Sequence, residues 1–246
     1  MLAYTTLAGA GKLGKNDVSA VHAFVCKTFA TETPDSNNQH YQRGAGLALA
    51  AKTFPAAKQA KEWQTYAEQV FKLVTAAGDI TEDAPNYNRI DMSFLWLLAE
   101  SLNKTRELTS PSFRAMFARF AAQVAPSGLI PSYGDSGGPN SLAAKANFSV
   151  NPWAMQWGGF VAGFLRAACE LHEPSFSAAA AHMLAGGTST QPLGGHYNDV
   201  GEAFRLLFGV AWGRAAPQPA AAERRSAVLT RRAGLACVVH FVPKIQ

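Results

Sequence analysis

The sequence predicts an all-α fold, an incomplete (α/α) toroid of about eight antiparallel helices with a short strand-like C-terminal tail. Three observations predict it. Apolar residues recur at spacings of three and four along most of the chain. Long polar loops alternate with short ones. Strand signal is nearly absent before residue 226.

The first stripe is Val18, Val21, His22, Val25, Cys26 and Phe29. A shorter helix is expected over residues 41–52, with Asn37 or Asn38 as its cap. Trp63, Tyr66, Ala67, Val70, Phe71 and Val74 repeat the stripe, and Ile90, Phe94, Leu97, Leu98 and Ser101 form the next. Phe113, Met116, Phe117, Phe120, Ala121 and Val124 follow Ser110–Pro111, a capping residue and a proline at the first helical position. Trp153, Trp157, Phe160, Val161, Phe164 and Ala168 form a further stripe, with a shorter helix expected over 175–185. The last stripe is Val200, Ala203, Phe204, Leu207, Phe208 and Ala211, where Asp199 and Glu202 are placed like a capping box.

The long loops are 31–40, 78–88, 126–152 and 186–198, and the short ones fall near 54–56, 104–110 and 172–174. Helices joined by short connections run antiparallel, so every second loop returns to the same end. The four long loops are therefore expected on one rim, where function concentrates. Residues 1–214 read as the helical domain, 215–225 as a linker and 226–246 as a strand-like tail.

The chain of 246 residues is 48% hydrophobic and only 16% charged, ample for a large core. Its net charge of +5 and pI near 9.2 favour anionic partners. No basic helix with interleaved aromatics suggests nucleic acid, and no apolar run approaches the roughly 20 residues that span a membrane. The first 15 residues lack the apolar stretch of a signal peptide. Cys26, Cys169 and Cys237 are far apart, have no metal-ligand spacing, and are expected as buried free thiols. Sequons at Asn103 and Asn147 permit a secreted location.

Three constellations carry polar chemistry: Asn37-Asn38-Gln39-His40-Tyr41 with Arg43, residues 78–88 with Glu82, Asp83 and Tyr87, and residues 128–137 with Tyr133 and Asp135. Their order and spacing resemble the helical domain of heparinase II/III-type polysaccharide lyases and their alginate-lyase relatives, over residues 20–230. Asn38 and His40 stand for the family's Asn-His pair, Tyr87 for its tyrosine, and PSYGDSG (131–137) for one of its loops. Two departures are visible. Gln39 separates Asn38 from His40, whereas the family's pair is usually adjacent. The family also carries a large C-terminal β-sandwich, of which 226–246 would be only a stump, with His240 unmatched.

The resemblance implies β-elimination on a uronate-containing acidic polysaccharide, in an extracellular or periplasmic location, without a cofactor or metal. A uronate's C5 proton is weakly acidic because the adjacent carboxylate is negative, so that carboxylate must be neutralised. Asn38 would do this, His40 would be the base or a second carboxylate partner, and Tyr87 the acid, able also to act as base. A nearby cation could lower a phenol from its ordinary pKa of about 10, and Arg43 and Arg89 are near in sequence. Glu82, Asn88, Tyr133, Asp135, Trp153, His196 and Tyr197 complete the expected substrate contacts, the aromatic ones by stacking on sugar rings. A rival expectation is a glycoside hydrolase pairing Asp79 or Glu82 with Asp135, at the roughly 5–9.5 Å such pairs need. A third is a non-catalytic carbohydrate-binding remnant.

Overall fold

The structure, a computed structural model, describes residues 11, 14–28, 33–82, 84–125, 128, 130, 152–186, 228–232 and 235–239. For 27, 28, 86, 152–158, 184–186 and the two strands, only the backbone is described. Among these residues the chain forms seven α-helices: α1 (Lys15–Thr28), α2 (Asn38–Thr53), α3 (Ala60–Ala77), α4 (Pro85–Ser101), α5 (Pro111–Ala122), α6 (Pro152–Leu171) and α7 (Pro174–Gly186). A 3-10 turn, Thr105–Thr109, lies between α4 and α5. The all-helical class is thus observed for the body of the chain. The expected helix near 200–211 lies outside the described residues. In the tail, β1 (Val228–Arg232) pairs antiparallel with β2 (Leu235–Val239), Thr230 opposite Cys237.

The chain divides into two compact units, one of residues 1–81 and 94–108, the other of 82–93 and 109–246. Helix α4 contributes its first nine residues to the second unit and the rest to the first.

In the first unit, α2 packs on α3 across the short connection at 54–59. Asn37, in extended backbone, caps α2 by accepting from the Gln39 and His40 amides at 3.2 and 3.3 Å. Such a cap is worth about 1 kcal/mol. The helix therefore starts at Asn38, three residues earlier than the apolar pattern predicts, and takes in His40. Val25, Leu47, Ala50 and Trp63 form a buried cluster, with Val21, Cys26, Phe54 and Tyr66 packed against it. His22, expected in the core, is half-buried and contacts the rings of Phe54 and Trp63. Helix α3 ends at Gly78, whose φ of 63° suits glycine, with its amide on Val74 O at 3.0 Å. Beyond it, the Thr81 hydroxyl donates to the Ser36 carbonyl. The first two long loops thus touch, as two loops at one end of a helical hairpin should.

In the second unit, α6 packs on α7, and α5 packs on both. Phenylalanines fill the contact: Phe117 meets Phe176 at 6.1 Å between ring centres, and Phe120 meets Phe160 at 5.7 Å. Ser110 and Pro111 open α5 as predicted, although the serine side chain makes no capping bond. Arg114 pairs with Glu173 at the start of α7. His182 of α7 bonds the Ala125 carbonyl at 2.9 Å.

Helix α4 departs most from its predicted stripe. It begins at Pro85, whose fixed φ and missing N–H suit a first turn. Tyr87, Asn88 and Arg89 are therefore helical rather than in a loop. Met92, Leu95, Trp96, Leu97, Leu98 and Ala99 are all buried, whereas Ile90 and Phe94 of the stripe are half-buried. A helix apolar nearly all round is one enclosed by its surroundings. Its first half meets α6 closely: a methyl group built on Gly159 would strike the Arg89 carbonyl, lying 2.8 Å from Arg89 C.

Candidate functional site

The first turn of α2 gathers the strongest cluster. The cap fixes His40 two residues into the helix, where it is only 9% exposed. Its Nδ1 lies 2.6 Å from the Tyr66 hydroxyl of α3, and the two rings stack at 6.2 Å with a 19° tilt. Arg43, one turn beyond His40, also hydrogen-bonds the Tyr66 phenol. Asp35, which accepts from the Asn37 amide at 3.0 Å, adds a negative charge nearby.

A donor chain running Arg43 to Tyr66 to His40 uses each group once. The guanidinium can only donate, so the phenol oxygen accepts. The phenol O–H then donates to Nδ1, which leaves the proton of a neutral His40 on Nε2. Burial pushes the Tyr66 pKa above its ordinary value of 10.0, against the opposing pull of Arg43. Tyr66 is therefore a protonated phenol at neutral pH, suited to give up a proton rather than take one.

Asn38 is the first residue of α2 and is half-buried, as is Arg43. These two and His40 belong to the first unit, whereas Glu82, Tyr87, Asn88 and Arg89 belong to the second. Tyr87 is half-buried in the first turn of α4, its amide on the Ala84 carbonyl at 3.0 Å. Glu82 is half-buried just before that helix. Asn88 and Arg89, expected on the rim, are buried instead, at 0% and 3% exposure. The start of α4 at Pro85 turns both inward, and the Asn88 amide donates to the Glu82 carbonyl. Tyr133, Asp135, His196, Tyr197 and Asp83 lie outside the described residues, as does the side chain of Trp153, which falls in α6. Asp79 accepts from the Ile80 amide at 2.8 Å, a turn-forming role. Cys26 and Cys169, expected to be buried, are half-buried, and neither forms a disulfide among the described residues.

Two residues outside the predicted site belong to polar clusters. Tyr66 follows Trp63 by three positions and reads as packing. The one hint to the contrary is that a phenol on an apolar stripe needs a partner for its hydroxyl. Asp91 is fully buried in the second unit beside Glu82. Its signal is a lone acid in the apolar run of residues 90–98.

Among the described residues, no helix is long and apolar enough to cross a membrane. Compared with known protein families, characterised proteins and solved structures, the chain matches none.

Proposed function

We propose that the chain is a polysaccharide lyase that cleaves a uronate-containing acidic polysaccharide by β-elimination. The observation that carries this proposal is the 2.6 Å bond between His40 and Tyr66, with Arg43 on the same phenol and Asn38 one turn-start away. An imidazole, a protonated phenol, a guanidinium and an amide are the group types the reaction needs.

In the proposed reaction, Asn38 and Arg43 neutralise the substrate carboxylate, which stabilises the negative charge that develops at C5. His40 takes the C5 proton at Nδ1, on the lone pair that the Tyr66 hydroxyl releases as it turns to the leaving oxygen. The electron pair forms the C4–C5 double bond as the C4–oxygen bond breaks, and a phenol delivers a proton to the leaving oxygen. The family resemblance gives that role to Tyr87, and the bond to His40 supports Tyr66. The positive net charge suits an anionic polymer. The proposal also takes the helices as an incomplete (α/α) toroid and the protein as one that meets its polymer outside the cytoplasm. The rival hydrolase pair of Asp79 or Glu82 with Asp135 needs a residue outside the described ones.

Alginate, heparan sulfate, hyaluronan and glucuronan are the test substrates. A lyase produces an unsaturated uronate with new ultraviolet absorbance. Reducing ends without that absorbance would identify a hydrolase, and binding without either product a non-catalytic domain. Y66F and Y87F then separate the two phenols. The variant that lacks the acid should lose about 10²–10⁴ in kcat while retaining polymer binding. Full activity in both variants would reject a tyrosine acid.

A further inference from the structure

Three buried acceptor atoms without a donor lie in the first half of α4. Asn88 and Asp91 are one turn apart and so share a helix face. Both have 0% exposure. Neither Asp91 carboxylate oxygen has a hydrogen-bond donor, and neither does Asn88 Oδ1. The Asn88 amide is turned toward the Glu82 segment, where its nitrogen donates to the Glu82 carbonyl. The Glu82 carboxyl lies near enough to interact with that of Asp91.

Buried acceptors without donors are rare and costly. Two ionised carboxylates in contact repel, and that repulsion strengthens as water is excluded. Burial and the Glu82 charge together hold the Asp91 carboxyl well above the usual carboxylate range. A shared proton supplies one donor, for one contact between the two carboxyls. It leaves the second Asp91 oxygen and Asn88 Oδ1 unserved. Arg89 is two positions from Asp91, on another side of the helix, where its backbone and Cβ abut Gly159 of α6.

We propose that Glu82, Asn88 and Asp91 form a binding site for a hard divalent cation of the calcium type. Two carboxylates balance its charge, and the amide oxygen adds a neutral ligand. All the donor atoms are oxygen, which selects calcium or magnesium over zinc or copper. Among the described residues, no third imidazole, thiolate or carboxylate joins the group. Calcium tolerates irregular carboxylate and amide ligation, whereas magnesium demands near-ideal octahedral geometry. Glu82, half-buried, provides the entry path to the enclosed Asp91. The site lies outside the His40 cluster and does not depend on the lyase proposal.

The test is thermal unfolding of the full chain after EDTA dialysis, with and without calcium chloride, alongside terbium luminescence titration. Calcium at about 100 times its Kd should raise Tm by roughly 5–10 °C. Terbium should bind and be displaced by calcium. D91N and E82Q should each abolish both effects, and either variant suffices if the other does not fold. No calcium shift and no terbium binding in the parent chain would overturn the proposal. So would an undiminished shift in either variant, because the cation would then bind elsewhere.

Discussion

The bond between Tyr66 and His40 can be weighed by a double-mutant cycle. Tyr66→Phe removes the hydroxyl that sits 2.6 Å from Nδ1, at the short end of hydrogen-bond distances. His40→Phe removes the nitrogens but keeps a ring to stack on Tyr66, now 6.2 Å away. A neutral hydrogen bond contributes about 0.5–1.5 kcal/mol net, and one to a charged group about 1.5–3 kcal/mol. Y66F loses one of each, because Arg43 also bonds the phenol. It also strands Nδ1 on a histidine that is only 9% exposed. Opposing this, a phenyl ring is easier to bury than a phenol. The expected loss is about 1.5–3 kcal/mol for Y66F, with roughly 1–2 kcal/mol of coupling to H40F. Urea unfolding at neutral pH measures it, provided the four proteins share one m-value. A coupling below about 0.5 kcal/mol, the scatter of independent sites, would show that the two side chains do not act together.

Two further outcomes are expected. G159A should cost about 1–3 kcal/mol, because its methyl meets the Arg89 backbone, which cannot rotate away, and the helical gain of alanine offsets only part. G163A meets the flexible end of Met92 and should cost at least about 1 kcal/mol less; equal thermal stabilities would refute the close crossing of α4 and α6. Tyr66 keeps its proton in the folded chain to a higher pH than in the unfolded chain. The unfolded state therefore binds fewer protons in that interval, and stability must fall as pH rises above 10.0 toward the folded value. The fall should be shallower in Y66F, and identical slopes in unfolding midpoints against pH would contradict the raised phenol.

Helix positions were readable wherever apolar spacing and a terminator coincide. Ser110–Pro111 marks the start of α5, and Gly78 the end of α3. Apolar spacing misses a helix start where the first turn is polar. Asn38-Gln39-His40 opens α2 and Pro85–Arg89 opens α4, yet neither begins with the periodic residues that reveal a helix. Those are also the turns that hold the candidate chemistry, so apolar spacing extends the loops too far and leaves the site residues outside their helices.

The sequence alone determined that this chain is helical, because a 3.6-residue apolar period is a local property written into neighbouring residues. It did not place Asn38 and His40 in the helix that holds Arg43, because that polar first turn lacks the apolar period. Only the tertiary structure decided the partners. Tyr66 lies 26 positions from His40, and nothing in the spacing of either stripe says that a phenol of α3 meets the imidazole of α2. Likewise, the burial of Asn88 and Asp91 beside Glu82 depends on which side of α4 is enclosed. The pattern of one helix cannot specify that enclosure, because neighbouring elements supply it.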